Sequence, residues 1–142
     1  MTDRPLVSIV IPTLNEEGVV GTVVRTVRRQ PAPHEVLVVD GGSTDATREE
    51  ARTAGATVVD APQGRGPQFN RGADAARGDL LLFLHADTHL PPDGLTRVRR
   101  ALADPEVSAG TFRLGFDAAS PLLRFYAWCT RWPWIRLCFG DR

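Results

Sequence analysis

Four short polar segments of this chain carry residue types suited to chemistry, and each stands where a run read as a strand ends. They are Pro12-Thr13-Leu14-Asn15-Glu16, Asp40-Gly41-Gly42-Ser43-Thr44-Asp45, Asp60 through Arg65, and His85-Ala86-Asp87. Before the last, Leu80-Leu81-Leu82-Phe83-Leu84 runs straight into His85. An uninterrupted apolar run of this length fits a strand buried on both faces of a sheet. A carboxylate at the end of such a strand, beside an imidazole, suits a divalent cation or a sugar hydroxyl. One acidic strand end means little, because Asp is a common turn and cap residue. Several together, near an arginine-bearing loop, point to a ligand site at the carboxyl edge of a parallel sheet.

The surrounding sequence predicts the elements that would bring these segments together. Leu6 to Ile11 reads as a strand stopped by Pro12. Asn15 is a candidate helix cap with Glu16 and Glu17 in the first turn. Val19, Val20, Val23, Val24 and Val27 form one apolar helical stripe. Glu35 to Val39 is a second strand ending at Asp40. The turn after it feeds a helix that Gly55 terminates. Ala56 to Val59 is a third strand, and Ala61 to Pro67 a Gly/Pro/Arg loop. A short helix follows from about Gln68 to Ala76, then the strand over residues 80–84. Pro91-Pro92-Asp93 opens a helix reaching about Ala103. Ser108 to Phe116 reads as extended, and Ser120-Pro121 caps an aromatic helix reaching about Thr130. Strands alternating with helices imply an α/β fold, a mainly parallel sheet with helices on both faces.

The 142 residues suit one domain that buries roughly two-thirds of its unfolded surface. Lys plus Arg equals Asp plus Glu at 17 each, so no bulk attraction to nucleic acid is implied. All 17 basic residues are arginine, which suits bidentate phosphate contact and equally suits a GC-rich genome. Cys129 and Cys138 match no common zinc spacing and make no disulfide scaffold, and are read as buried thiols in a reducing compartment. The sequence shows no signal peptide and no run of about 18 uncharged apolar residues. The expected location is cytoplasmic, with the inner face of the membrane as a further option.

The first loop excludes two familiar nucleotide sites. Dinucleotide binding there needs Gly-x-Gly-x-x-Gly, so that backbone can approach a pyrophosphate. Thr13-Leu14-Asn15-Glu16-Glu17 has no glycine and two carboxylates, which repel a bare pyrophosphate. No Gly-x-x-x-x-Gly-Lys-Ser/Thr loop occurs either. Carboxylates at this edge could grip a base and ribose, or share Mg²⁺ or Mn²⁺ with a diphosphate.

The same segments resemble a known family. Val7-Ser8-Ile9-Val10-Ile11-Pro12-Thr13-Leu14-Asn15-Glu16 is similar to the opening of family 2 glycosyltransferases with the GT-A fold. Val38-Val39-Asp40-Gly41-Gly42-Ser43-Thr44-Asp45 resembles their second signature. Gly64-Arg65-Gly66-Pro67-Gln68-Phe69-Asn70-Arg71-Gly72 with Gly78-Asp79 resembles the third. Leu84-His85-Ala86-Asp87 falls where the metal-binding Asp-x-Asp belongs. Phe139-Gly140-Asp141 resembles the acidic motif that supplies the catalytic base of inverting members.

The resemblance implies transfer of a sugar from a UDP- or GDP-sugar to a hydroxyl acceptor, assisted by Mn²⁺ or Mg²⁺. Pro12, Thr13, Glu16 and Ala86 would line the donor pocket. Asp40 would lie near the base or ribose, and Arg65 near the diphosphate. Asp87, with His85 beside it, would hold the metal, and Asp141 would deprotonate the acceptor. His85 departs from the family in replacing a carboxylate, which leaves the metal's identity open. The chain ends at Arg142, directly after the expected base, whereas family members continue; this predicts an N-terminal portion of a longer enzyme.

Other readings stand beside these. Asp45 either caps the second helix or contributes a ligand, and Glu16 and Glu17 either complement a helix dipole or bind donor. His85, Asp87 and His89 alternate like a two-His-one-carboxylate iron site. Tyr126, Trp128, Trp132 and Trp134 form core, an acceptor pocket or a membrane contact. A non-catalytic nucleotide-binding module and a nucleotidyltransferase are the rival functions. The second would need a Gly-rich, Arg-containing first loop.

Overall fold

The structure, a computed structural model, describes residues 4–112. The chain divides into two compact units, Met1–Asp104 and Pro105–Arg142. The second is described only over residues 105–112, which are exposed and carry neither helix nor strand.

The first unit runs β1 (Val7–Thr13), α1 (Val20–Arg28), β2 (His34–Asp40), α2 (Thr47–Thr53), β3 (Thr57–Asp60), α3 (Arg65–Ala75), β4 (Leu80–Phe83) and α4 (Gly94–Ala101). The four strands form one sheet in the order β3-β2-β1-β4, and every pair is parallel. Side-chain alternation in β1 sorts the core into two layers. Val7, Ile9 and Ile11 pack with the valines of α1, Ala51 of α2 and Leu95 of α4. Val10 faces the other way, with Leu37 and Val39, toward Phe69 and Ala75 of α3. Helices thus cover both faces, as the sequence predicts.

Four local expectations need correction. First, β1 runs through Pro12 to Thr13 instead of stopping there. The Val10 carbonyl accepts the Leu84 N–H on the β4 side, and that of Thr13 accepts the Gly41 N–H on the β2 side. Alternation therefore turns the Pro12 nitrogen toward β4, beyond the end of the β1–β4 ladder at Phe83. A strand tolerates proline where no ladder donor is needed. Second, α1 starts at Val20, with no acidic residue in its first turn. Asn15 is no helix cap; it takes a left-handed φ of 54° in the preceding loop. Val19 is 40% exposed and leaves the apolar stripe. Third, β4 is not buried on both faces. Leu84 and Ala86 join the core with Leu80 and Leu82 packed against it, whereas Leu81 and Phe83 are 41% and 46% exposed. Phe83 meets Phe69 edge-on with ring centres 4.9 Å apart. Fourth, helix α3 starts earlier than expected, at Arg65.

At the opposite, amino edge of the sheet, Glu35 ties three segments together. Its carboxylate accepts the Ser8 hydroxyl at 2.6 Å and the Arg77 N–H at 2.7 Å, and pairs with the Arg77 guanidinium at 2.8 Å. Burial alone would raise its pKa, but the bonds from Ser8 and Arg77 together hold it below the usual carboxylate value. A depressed folded-state pKa contributes stability above the unfolded value, and that stability is lost as pH falls through the folded value. Glu35→Gln should therefore cost about 1–3 kcal/mol at pH 7 and flatten the acid limb of the stability curve. Urea titrations between pH 7 and pH 3 check this, and an unchanged acid limb would rule it out.

Candidate functional site

The strand register aligns the expected residues. Thr13 pairs with Asp40, and Asp40 with Asp60, in one row at the carboxyl edge. β4 reaches this edge through Leu84, and His85, Ala86 and Asp87 follow it. Arg65 is the first residue of α3.

The buried residues of this edge are fully committed to one another. Asp40 is 1% exposed. One carboxylate oxygen accepts the N–H groups of Gly42 and Ser43 at 3.1 and 2.9 Å. The other accepts the hydroxyls of Ser43 at 2.5 Å and Thr13 at 3.4 Å. Arg48 of α2 pairs with Asp60 and lies 3.9 Å from Asp40. The Asp40 carboxylate thus shapes the turn after β2 and has no free face. Pro12 and Thr13 are buried beside it.

The first loop is laced to the second through consecutive backbone amides. The N–H groups of Asn15, Glu16, Glu17 and Gly18 donate in turn to Ser43 Oγ, Thr47 Oγ1, Asp45 Oδ2 and Glu50. In return, Asn15 Oδ1 accepts the Thr44 N–H at 3.0 Å, which explains its left-handed backbone. Asp45 also accepts the hydroxyl and N–H of Thr47, at 2.5 and 3.0 Å. The Thr47 hydroxyl is the main influence holding its pKa down. Asp45 lies one residue before the N-cap position of α2, Ala46, which has no side-chain cap bond, so Asp45 braces the turn into the helix and bonds to the first loop instead of capping the helix.

Four expected groups contrast with this frame. The carboxylate of half-buried Glu16 and the guanidinium of exposed Arg65 receive or make no hydrogen bond among the described residues. His85 is exposed, its ring edge-on to Phe69 with centres 6.1 Å apart. Exposed Asp87 accepts only the neighbouring Thr88 hydroxyl, at 3.3 Å. Ala86 between them is buried and anchors the pair in the core. His89 is exposed in the loop beyond, and no group of three His, Cys, Asp or Glu able to hold a metal occurs among the described residues. The iron-site alternative is therefore not formed here. One carboxylate and one imidazole still fit a cation that takes its remaining ligands from phosphate oxygens and water.

Sequence reasoning passed over Gln68. It is 4% exposed, and its side-chain nitrogen donates to the carbonyls of Thr13 and Val39, both at 2.8 Å. The only available signal was a polar residue within the Gly64–Gly72 segment. Asp141, the aromatic residues Tyr126, Trp128, Trp132 and Trp134, and Cys129 and Cys138 lie outside the described residues. No helix among the described residues is long and apolar enough to cross a membrane.

Comparison with known proteins gives a consistent picture. The family described as Glycosyl transferase family 2 matches residues 8–136. A PGL/p-HBAD biosynthesis glycosyltransferase of Mycobacterium bovis is 39% identical over 113 residues, 73% of this chain and 44% of that protein. A mannosyltransferase from Pyrobaculum calidifontis, solved in complex with GDP-Man and Mn²⁺, superposes with a TM-score of 0.68 at 31% identity, covering 75% of this chain and 34% of that one. Glucosyl-3-phosphoglycerate synthase from Mycobacterium tuberculosis, solved with Mn²⁺, UDP-Glc and phosphoglyceric acid, superposes with a TM-score of 0.61 at 26% identity, covering 72% and 41%. The chain thus spans less than half the length of these proteins.

Proposed function

The chain belongs to glycosyl transferase family 2 and has the GT-A fold, and from that premise we propose that it moves a sugar from a UDP- or GDP-sugar to a hydroxyl acceptor with inversion. The observation that supports this most is the split at the carboxyl edge. Thr13, Asp40, Asp45 and Gln68 are saturated by internal bonds, while Glu16, Arg65, His85 and Asp87 keep capacity for a ligand. Solved relatives carry UDP-glucose or GDP-mannose with Mn²⁺.

In this reading Pro12, Thr13 and Asp40 form the pocket floor, and Asp40 holds the turn that faces the base and ribose. Glu16 accepts hydroxyl or base donors. Arg65 meets the diphosphate as a fork of fixed geometry. Asp87 and His85 would hold a divalent cation, which as a Lewis acid stabilises the charge on the departing nucleoside diphosphate. Asp141 takes the acceptor's proton as its oxygen bonds to the anomeric carbon and the bond to the diphosphate breaks. Such base assistance is worth roughly 10²–10⁴-fold in rate.

Calorimetric titration of UDP and GDP, with and without Mn²⁺, tests the reading. Metal-dependent binding of one of them is the expected result, and no binding of either would end it. His85 in place of a carboxylate favours a second reading, a binding module without catalysis. Slow release of sugar from the bound donor into water separates the two, because a pure binder leaves the donor intact. His85→Asp should shift preference from Mn²⁺ toward Mg²⁺ by about tenfold, since an oxygen ligand suits the harder ion. Equal Mn²⁺ to Mg²⁺ affinity ratios in both proteins would remove His85 from the metal site.

A further inference from the structure

We propose that Gln68 is a positioning residue of the donor site, clamping the helix that carries Arg65 to the strand ends that carry Thr13 and Asp40; this rests on the donor-site reading above. Gln68 lies three residues after Arg65 in α3. Both hydrogens of its side-chain amide are used, one on the Thr13 carbonyl and one on the Val39 carbonyl. Those carbonyls sit where the β1–β2 ladder ends, at the register row Thr13–Asp40. The amide therefore serves as one more rung, supplied from a different element.

Two further observations support a positioning role over simple burial. The Thr13 carbonyl also accepts the Gly41 N–H at 2.9 Å, so the clamp and the turn after β2 share one acceptor. Gly41 is packed tightly against the clamp: a Cβ there would lie 3.2 Å from Gln68 Cδ and Nε2, and the amide would have to give by a few tenths of an ångström. The turn that Asp40 organises is thus seated directly on the Gln68 amide. An apolar residue at position 68 would leave two buried carbonyls with fewer donors, and the strand ends would shift to find others.

The test uses the full 142-residue chain and Gln68→Leu, which keeps the bulk and removes both bonds. Three quantities are measured: Mn²⁺-dependent affinity for UDP and GDP, exchange of the Gly41 amide hydrogen by NMR, and the thermal midpoint. Glu35→Gln, at the opposite edge of the sheet, is the control for general destabilisation. Gln68→Leu should weaken nucleotide binding and speed Gly41 exchange, each by about tenfold, equivalent to about 1.4 kcal/mol. Glu35→Gln should lower the midpoint and leave both unchanged. If Gln68→Leu does not fold, Gln68→Met carries the same expectation with a more adaptable side chain. Unaltered affinity and Gly41 exchange in the Gln68 variant would overturn the proposal, as would equal losses in the control. If the parent protein binds neither nucleotide, the donor-site reading fails, and Gly41 exchange still decides whether Gln68 holds the turn.

Discussion

Replacing Asp87 by Asn is expected to weaken Mn²⁺-dependent binding of UDP or GDP by about 100-fold, with thermal stability within about 0.5 kcal/mol of the parent. The asymmetry follows from where Asp87 sits. Its side chain is exposed and accepts one bond, from the adjacent Thr88 hydroxyl, which an amide oxygen can replace. Folding therefore loses little. In the proposed site the cation would lose the only carboxylate of the His85–Asp87 pair, and with it the charge that would offset the diphosphate. Isothermal titration at fixed Mn²⁺ gives the affinity. Parent-like affinity in Asp87→Asn would show that Asp87 is not a ligand.

The second large effect is structural. Gly72→Ala in α3 should cost on the order of 3 kcal/mol and lower the thermal midpoint by roughly 15 °C. A Cβ at position 72 would lie 2.3 Å from Val10 Cγ1 and 3.0 Å from Val39 Cγ2. Both valines are buried in the central strands and have nowhere to go. The helix must lift from the sheet, and it takes Arg65 and Gln68 with it. Val10→Ala in the Gly72→Ala background should recover part of the loss, although Val10→Ala alone destabilises by opening a cavity. A midpoint within two or three degrees of the parent for Gly72→Ala, read by calorimetry, would refute this packing account.

The contrast between these two residues shows which parts of the molecule a sequence displays. Periodicity and strand-end chemistry were enough for the parallel sheet, the order of elements and the shared edge of Thr13, Asp40 and His85, because each depends on residues close together in the chain. Gly72 was visible only as part of a motif. Its reason is a contact with Val10, 62 positions away, which no local pattern encodes. Gln68 went unnoticed for the same cause: its partners at positions 13 and 39 are distant in sequence. Asn15 misled in the opposite direction. It is a good cap by type, but the carbonyl of its side chain is spent on Thr44, and the helix begins five residues later. The apolar run 80–84 overstated burial because composition cannot tell a central strand from one with an open face.

The lacing of residues 15–18 onto residues 43–50 has a chemical cost for phosphate recognition. A loop leading into a helix is the usual place for free amides to cradle an anion. Here the protein has filled that cradle with anions of its own: Asp45 and Glu50 receive the Glu17 and Gly18 amides, and two hydroxyls take the rest. These carboxylates are built-in phosphate mimics, held by the fold and impossible to wash out. Inorganic phosphate or a free nucleotide finds no vacant amides there, and a diphosphate must be met by cationic groups elsewhere on the edge.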